Sequence, residues 1–154
     1  MPECIVQSER ELPDLSAHKV LVLDTETSGT EPHLGDRMCG VVIGPQHGDG
    51  EWYVPVLHVN PGSMKNVSIE AVLTWLRKYT ENPDIIWVMH NAKFDLTVLR
   101  YEGIEVKGKV IDTQVAAHVL RGELMQNMFS LDNLTQIFVP GFKHERWAHI
   151  KTLL

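Results

Sequence analysis

The sequence is poor in cysteine and contains no long apolar run. Its two cysteines, Cys4 and Cys39, are too few for a disulfide framework and do not have the spacing of a zinc site. We therefore expect both to be buried or incidental thiols of a protein in a reducing compartment. No apolar stretch approaches the roughly 20 residues that a membrane span requires, and the N-terminus has no apolar leader. These features predict a cytoplasmic protein that has no membrane partner.

The sequence also lacks an excess of positive charge. Its net charge is −6, which argues against a partner bound through a broad basic face. Residues 1–90 contain 6 Lys or Arg against 13 Asp or Glu, whereas residues 91–154 contain 8 against 7. An acidic site can still act on nucleic acid when divalent cations lie between its carboxylates and the phosphates.

The composition gives no indication of disorder. Apolar residues make up 44% of the chain and charged residues 22%, and no low-complexity tract occurs. With 154 residues, one domain can bury about two-thirds of the surface that its unfolded form exposes. We expect a single domain over residues 1–154, in which residues 1–17 are a lead-in or short helix before the first strand.

Short apolar runs alternate along the chain with longer segments in which apolar residues recur at helical spacing. The run "KVLVLDTE" at 19–26 is nearly continuous, which is typical of a strand covered on both faces. Pro55 favours a sheet edge or a bulge. The alternation predicts an α/β domain with a mixed sheet, antiparallel at one edge and parallel in the interior. Strands are predicted at residues 19–26, 37–44, 51–59, 84–90 and 109–113, and helices at residues 68–79, 91–103, 113–122 and 130–139.

Polar residues at the predicted helix starts are candidate N-caps. Ser68 and Ser130 each precede a helical pattern directly. Asp112 stands before the helix that begins at Thr113, so that it is either a cap or a member of a functional site. Asn91 has the same two interpretations.

Acidic residues follow the predicted parallel strands at the point where each strand ends. Asp24 and Glu26 end the first strand, Asp95 comes about one helical turn after the strand at 84–90, and Asp112 ends the strand at 109–113. Because ligands bind outside the carboxyl ends of such strands, we expect these four carboxylates on one rim. Asp24 and Glu26 share a face, provided that the strand stays extended through Thr25.

Such a cluster of carboxylates needs protons or cations to be stable. Carboxylate oxygens suit Mg²⁺ and Mn²⁺, and two such ions can activate water and stabilise the leaving oxygen in phosphodiester cleavage. Each element has an ordinary alternative, since an acidic pair after a strand is often only solvated in a loop and Phe94 at helical spacing is by default a core residue. The joint order of the elements is what favours the catalytic interpretation.

Taken together, "LDTETSG" and "HNAKFDLTVL" resemble the first two exonuclease motifs of the DEDD superfamily of 3′-5′ exonucleases, which have a ribonuclease H-like fold. The form N-A-K-F-D, followed by "IDTQVAAHVL" and "SLDNL", is most similar to the proofreading exonuclease domain of family A DNA polymerases, especially those of phages. The resemblance covers residues 19–139. It implies a bacterial or phage-infected host cytoplasm, a single-stranded DNA 3′ end or nucleotide product as ligand, and a DNA polymerase domain or subunit as a partner.

The resemblance also assigns roles to individual residues. Asp24, Glu26 and Asp95 match metal ligands, for which the family uses two Mg²⁺ or Mn²⁺ ions, and Asp112 matches an acid that supports the site without binding metal. Residues expected at the terminal nucleotides are Thr25, Thr27, Asn91 and Phe94.

The third motif of that superfamily is not found in the sequence. It consists of a Tyr or His that positions water, followed by a fourth carboxylate. The acids after Asp112 are Glu123, Asp132 and Glu145, and none follows a Tyr at the required spacing. His144 and His149 in "HERWAH" have the interval of the His-type motif, but a histidine stands where the acid belongs. We therefore expect a domain that lacks its C-terminal helix.

Three functions are consistent with these patterns. The first is a metal-dependent 3′-5′ exonuclease acting on single-stranded DNA, with activity impaired in a chain without the third motif. The second is a nucleic-acid-binding or interaction module on the same fold, and the third is a 3′-5′ exoribonuclease.

Overall fold

The structure is a computed structural model that describes residues 4–47, 50–59, 62, 64–122, 126–139 and 141. Within these residues, strands and helices follow one another as the sequence pattern predicts, with one additional strand at the start. The strands are β1 (Cys4–Ile5), β2 (Val20–Thr27), β3 (Met38–Pro45), β4 (Trp52–Pro55), β5 (Ile86–Met89) and β6 (Lys109–Asp112). The helices are α1 (Ile69–Thr80), α2 (Ala92–Tyr101), α3 (Thr113–Leu120) and α4 (Leu131–Phe138), with 3₁₀ turns at Glu9–Glu11, Pro32–Leu34 and Gln126–Phe129.

The described strands form one mixed sheet in the order β1-β4-β3-β2-β5-β6. β2, β3 and β4 pair as an antiparallel meander, whereas β5 and β6 continue the sheet parallel to β2. The mixed α/β sheet that the sequence predicts is therefore confirmed. The carboxyl ends of β2, β5 and β6 lie at one end of the sheet, which is where the predicted acidic residues follow them.

The segment that the sequence assigns to a lead-in contributes a strand of its own. β1 pairs in parallel with β4, with Cys4 opposite Trp52 and Ile5 opposite Tyr53. It covers the outer side of the meander, so that β4 is one strand in from the edge. Pro55 ends β4 beyond this pairing, where its missing N–H costs no bond to β1.

The main core lies between one face of the sheet and helices α1 and α2. Leu21 and Leu23 of β2 face this core and are fully buried, as is Trp87 of β5. Val22 points to the opposite face and remains 40% exposed. The prediction that the first strand is covered on both faces is therefore wrong at Val22 within the described structure, because a continuous apolar run does not reveal which face a helix covers.

Caps and an amphipathic pattern explain the helices. The Ser68 hydroxyl accepts a hydrogen bond from the Ala71 N–H at the start of α1, and the Ser130 hydroxyl accepts one from the Asn133 N–H at the start of α4. Both predicted caps are confirmed. No helix among the described residues is both long and apolar enough to span a lipid bilayer.

An ion pair connects the meander to the end of α2. The Arg37 guanidinium donates two hydrogen bonds of 2.7 Å to the Glu102 carboxylate, whose side chain is only 4% exposed. The Met38 N–H donates a third bond to Glu102. The Arg37 guanidinium holds the pKa of Glu102 below its usual range. This pair fixes the C-terminal end of α2 against the start of β3.

Candidate active site

Asp24 and Glu26 lie near the carboxyl end of β2. The strand stays extended through Thr27, so that the two acids share a face. The strand is supported on one side by β3, where Asp24 is opposite Val42 and Glu26 is opposite Gly40. On its other side, the pairing with β5 extends only to Val22. The backbone of β2 beyond Val22 is thus open on that side to groups from the first turn of α2.

Asp95 occupies this place beside β2. It lies in the first turn of α2 and is 2% exposed. Its Oδ1 atom accepts hydrogen bonds from the Thr25 backbone N–H at 2.8 Å and from the Thr25 hydroxyl at 2.7 Å. Because Thr25 lies between Asp24 and Glu26 in the chain, the two bonds place the third carboxylate beside the acidic pair.

The neighbouring carboxylates disfavour the charged form of Asp24. Burial raises the pKa of Asp24 to about 7, and the charges of Asp95 and Glu26 add to this effect. Burial also raises the pKa of Asp95, although its bonds from Thr25 act in the opposite direction. The site therefore disfavours negative charge unless a cation is present.

Hard divalent cations fit the chemistry of this site. The donors are carboxylate oxygens from two rigid elements, and their mutual repulsion is the kind that Mg²⁺ or Mn²⁺ relieves. No group of three or more His, Cys, Asp or Glu side chains forms a metal-binding cluster in the part of the chain that the structure describes. The fit rests on the carboxylate donors and on the bonds that hold Asp95 against Thr25, and the raised pKa of Asp24 and Asp95 is consistent with it.

Asp112 caps two helices at once. Its Oδ1 accepts hydrogen bonds from the backbone N–H groups of Gln114 at 2.8 Å and Val115 at 3.3 Å, which confirms the predicted cap of α3. It also accepts bonds from the N–H groups of Asn91 at 3.1 Å and Ala92 at 2.8 Å, at the start of α2. Asp112 thus holds the first turn of the helix that carries Asp95.

Asn91 occupies the N-cap position of α2 without acting as a side-chain cap. Its backbone is left-handed, with φ 57° and ψ 49°, a conformation that asparagine tolerates better than most residues. Its side chain makes no capping bond and the residue is exposed, so that the predicted side-chain cap is wrong and Asp112 performs that task. The left-handed turn directs the N–H groups of Asn91 and Ala92 toward Asp112.

The remaining candidates lie in or beside the same region. Thr27 donates its hydroxyl hydrogen bond to the Gly29 carbonyl at 2.6 Å, within the loop after β2. Phe94 is partly buried and packs against the main core, as its helical spacing suggests. His144 and His149 lie outside the described residues.

Sequence reasoning missed a buried polar pair next to the acidic residues. Tyr53 of β4 is fully buried and His58 is 5% exposed, and a hydrogen bond joins the Tyr53 hydroxyl to His58 Nε2. Burial raises the pKa of Tyr53 above its usual range, and the charge of Glu26 adds to the effect. The alternation of "EWYVPVLHV" suggests a strand, but only the register of the sheet relates Tyr53 to Glu26.

Known proteins are similar to this chain in sequence. Residues 1–145 match the model of a protein family described as 3′-5′ exonuclease. DNA polymerase I of Chloroflexus aurantiacus is 34% identical over 124 residues, which cover 77% of this chain and 12% of that protein. DNA polymerase I of Synechocystis sp. is 30% identical over 131 residues, which cover 82% of this chain and 13% of that protein. DNA polymerase DpoZ of Salmonella phage PMBT28 is 29% identical over 85% of this chain and 19% of its own length. This chain therefore spans less than a fifth of each of these relatives.

Solved structures share the fold. Brucella melitensis NrnC with bound Mg²⁺ is similar with a TM-score of 0.64 and 23% identity, over 94% of this chain and 65% of that one. Escherichia coli RNase D, an exoribonuclease, is similar with a TM-score of 0.62 and 17% identity, over 90% of this chain and 34% of that one. At these identities the similarity concerns the fold alone, and it confirms the predicted architecture.

Proposed function

Because this chain belongs to the family of DEDD-type 3′-5′ exonucleases, we propose that it removes nucleotides from the 3′ end of single-stranded DNA, in the manner of a proofreading domain. The observation that carries this proposal is the bonding of Asp95 to Thr25, between Asp24 and Glu26. It connects Asp95 to a residue 70 positions earlier in the chain, between the other two acids. The matched relatives that are DNA polymerases favour DNA as the substrate.

In this proposal, Asp24, Glu26 and Asp95 hold two divalent cations, Mg²⁺ or Mn²⁺, through their carboxylate oxygens. When bound, such ions activate water and stabilise the leaving oxygen of a phosphodiester. β2 keeps Asp24 and Glu26 at a fixed separation, and α2 fixes Asp95 relative to them. A rigid support of this kind places the reacting groups in a productive geometry, which accounts for a large part of the rate in such reactions.

The nucleotide contacts are proposed for residues at the same end of the sheet. Asn91 is exposed at the start of α2, and Phe94 lies one turn further along that helix. Thr27 follows Glu26 as the last residue of β2, and its hydroxyl donates to Gly29 in the loop beyond. Thr25 acts through Asp95, to which its hydroxyl donates, and Asp112 acts by capping α2. These positions can receive the terminal bases while the acids face the phosphodiester.

Digestion of a labelled single-stranded DNA oligonucleotide tests the proposal. We expect shortening from the 3′ end with Mn²⁺, none with a chelator, and a loss of orders of magnitude in Asp24→Ala. The matched control is Asp84→Asn, at an exposed position, which should digest at the wild-type rate. Digestion that persists in Asp24→Ala or in chelator would contradict the proposal.

A second candidate, an exoribonuclease, is favoured by one observation. The solved structures with the same fold include RNase D. A matched RNA oligonucleotide in the same assay discriminates the two candidates, since faster shortening of RNA than of DNA supports the second. Binding of either oligonucleotide without shortening would instead support a nucleic-acid-binding module.

A further inference from the structure

The buried Tyr53 and His58 lie on the sheet face that carries the acidic pair. Val42 of β3 pairs with Asp24 on one side and with Tyr53 on the other, and Gly40, two residues earlier, pairs with Glu26. Side chains of directly paired residues project from the same face, as do residues two apart on one strand. Tyr53, Asp24 and Glu26 therefore share one face of the sheet.

Gly40 leaves room for the Tyr53 hydroxyl on the strand that pairs with Glu26. A Cβ atom on residue 40 would collide with the Tyr53 hydroxyl and would lie 2.6 Å from ring atom Cζ. The hydroxyl thus lies over the backbone of Gly40, the residue that pairs with Glu26. Opposite residues on paired strands have Cβ atoms about 5 Å apart, which is within reach of a glutamate side chain.

The Tyr53 hydroxyl is hydrogen-bonded to His58. The hydrogen bond to Nε2 and an edge-on ring contact, with centroids 5.7 Å apart, hold the two rings together. The backbone of His58 is in turn fixed by Asn66, which accepts from the His58 N–H at 3.0 Å and donates to the His58 carbonyl at 2.9 Å. The imidazole is therefore a rigid partner for the tyrosine.

We propose that Tyr53 and His58 are positioning residues for Glu26. The His58 Nε2–H donates to the Tyr53 oxygen, and the Tyr53 hydroxyl donates to the Glu26 carboxylate, which it holds in the orientation that binds a divalent cation. The burial of both rings keeps water from competing for these bonds. This assignment rests on the proposed function, because Glu26 is a metal ligand only in that scheme.

Calorimetric titration with Mn²⁺ tests the pair without relying on turnover. Partners that orient a metal ligand typically contribute 10- to 100-fold to metal affinity, so we expect Tyr53→Phe to raise the Kd for Mn²⁺ roughly 10- to 100-fold. The matched control is Tyr79→Phe, which also removes a buried hydroxyl; that hydroxyl is bonded at Leu15, Pro13 and Asp14 rather than at the proposed metal ligands. Its Kd should equal that of the wild type. An unchanged Kd in Tyr53→Phe would overturn the proposal.

Two variants at position 58 separate a hydrogen-bonding role from a packing role. His58→Gln keeps a nitrogen donor near the place of Nε2, whereas His58→Phe keeps only the ring. We expect Mn²⁺ affinity near that of the wild type in the first and a loss comparable to that of Tyr53→Phe in the second. Equal losses in both variants would contradict the orienting role of His58.

A double-mutant cycle in metal-free urea unfolding distinguishes failure of this inference from failure of the proposed function. If Tyr53 acts on Glu26, the effects of Tyr53→Phe and Glu26→Ala on the free energy of unfolding are not additive. If the wild type neither binds Mn²⁺ nor digests DNA, the proposed function fails, and a non-additive cycle still supports the contact. Additive effects would overturn the contact even in an active exonuclease.

Discussion

Asp24, which we propose as a metal ligand, carries a cost to the metal-free fold. Its carboxyl group is largely buried at the end of β2 beside two other acids, and its pKa is raised to about 7 by burial, Asp95 and Glu26 in that order. Desolvation next to like charges destabilises a carboxylate, and such perturbed groups cluster at functional sites. A bound cation would offset the repulsion between these carboxylates.

The substitution Asp24→Asn should stabilise the metal-free protein while abolishing digestion. In the folded protein the pKa of Asp24 is about 7, above the ordinary value of 3.8. Between these two pH values the folded state binds more protons than the unfolded state. The free energy of unfolding of the wild type therefore falls as the pH rises through this window. The asparagine side chain carries no charge, so the variant does not lose stability in this way. We expect Asp24→Asn to gain up to about 4 kcal/mol over the wild type at pH 8 in chelator, and less at pH 5.

Urea unfolding at the two pH values measures this difference. Asp84→Asn, at an exposed position, should leave the free energy of unfolding nearly unchanged at both. Equal stabilities of the wild type and Asp24→Asn at pH 8 would contradict the assignment of a buried, destabilising charge.

Thr25 should act through its hydroxyl. Thr25→Val keeps the shape of the side chain but removes the 2.7 Å bond to Asp95, so that only the bond from the backbone N–H remains. We expect the Mn²⁺ concentration that gives half-maximal digestion to rise roughly 10- to 100-fold, since the position of Asp95 is then less fixed. Thr25→Ser retains the hydroxyl and should stay close to the wild type in a Mn²⁺ titration of the digestion rate. A similar loss in both variants would point to packing instead.

At the scale of elements, the site depends on how two helices begin. α2 and α3 each follow a parallel strand, and one carboxylate, that of Asp112, accepts hydrogen bonds from N–H groups at both helix starts. The partial positive charge at both helix N-termini favours its negative charge. Asp112 therefore couples the position of α2, and with it Asp95, to the end of β6.

Asp112→Ala should destabilise the protein more than the loss of an ordinary cap. A single N-cap contributes about 1 kcal/mol, and this substitution removes the acceptor for two helices, so we expect a loss of about 2–3 kcal/mol in the free energy of unfolding. Ser130→Ala, which removes the cap of α4 alone, is the matched comparison and should cost about 1 kcal/mol. Digestion should fall in Asp112→Ala and persist in Ser130→Ala. Equal losses of stability would show that Asp112 caps only one helix effectively.

At the scale of the whole molecule, the sheet gathers acids from separate segments at one end. The carboxyl ends of β2, β5 and β6 lie side by side, and the charges of Asp24, Glu26, Asp95 and Asp112 influence one another there. A ligand that neutralises this end should therefore stabilise the folded state as a whole.

Mn²⁺ should raise the thermal stability of the wild type. A ligand that binds only the folded state stabilises it by about 2.7 kcal/mol at 100 times its Kd. We expect an increase in the midpoint of thermal unfolding on addition of Mn²⁺ that reverses with chelator and is absent from Asp24→Asn. The control is a buffer without Mn²⁺ that contains Na⁺ at equal ionic strength, which tests for general screening of the negative charges. An equal shift with Na⁺ would attribute the effect to general screening of the acidic half.

Local patterns in the sequence were sufficient for the order of elements after residue 18. The apolar run before Asp24, the helical spacing after Ser68 and the serine before α4 each depend on neighbours in the chain, and the structure confirms them. The short strand β1 was not predicted, because two residues show no periodicity and their pairing partner, β4, lies far away in the sequence. The cap of α2 was not predicted either, since its acceptor, Asp112, lies 20 residues further along the chain.

The order of residues is enough to show which acids are available, which strand carries two of them and to which family the motifs belong. How these groups are held depends on the folded molecule: Thr25 holds Asp95, Asp112 holds α2, and Tyr53 lies over Gly40, which pairs with Glu26. Helix caps and strand alternation arise from contacts between near neighbours in the chain, whereas these arrangements depend on sheet register and helix placement. Those are fixed only when the whole core packs.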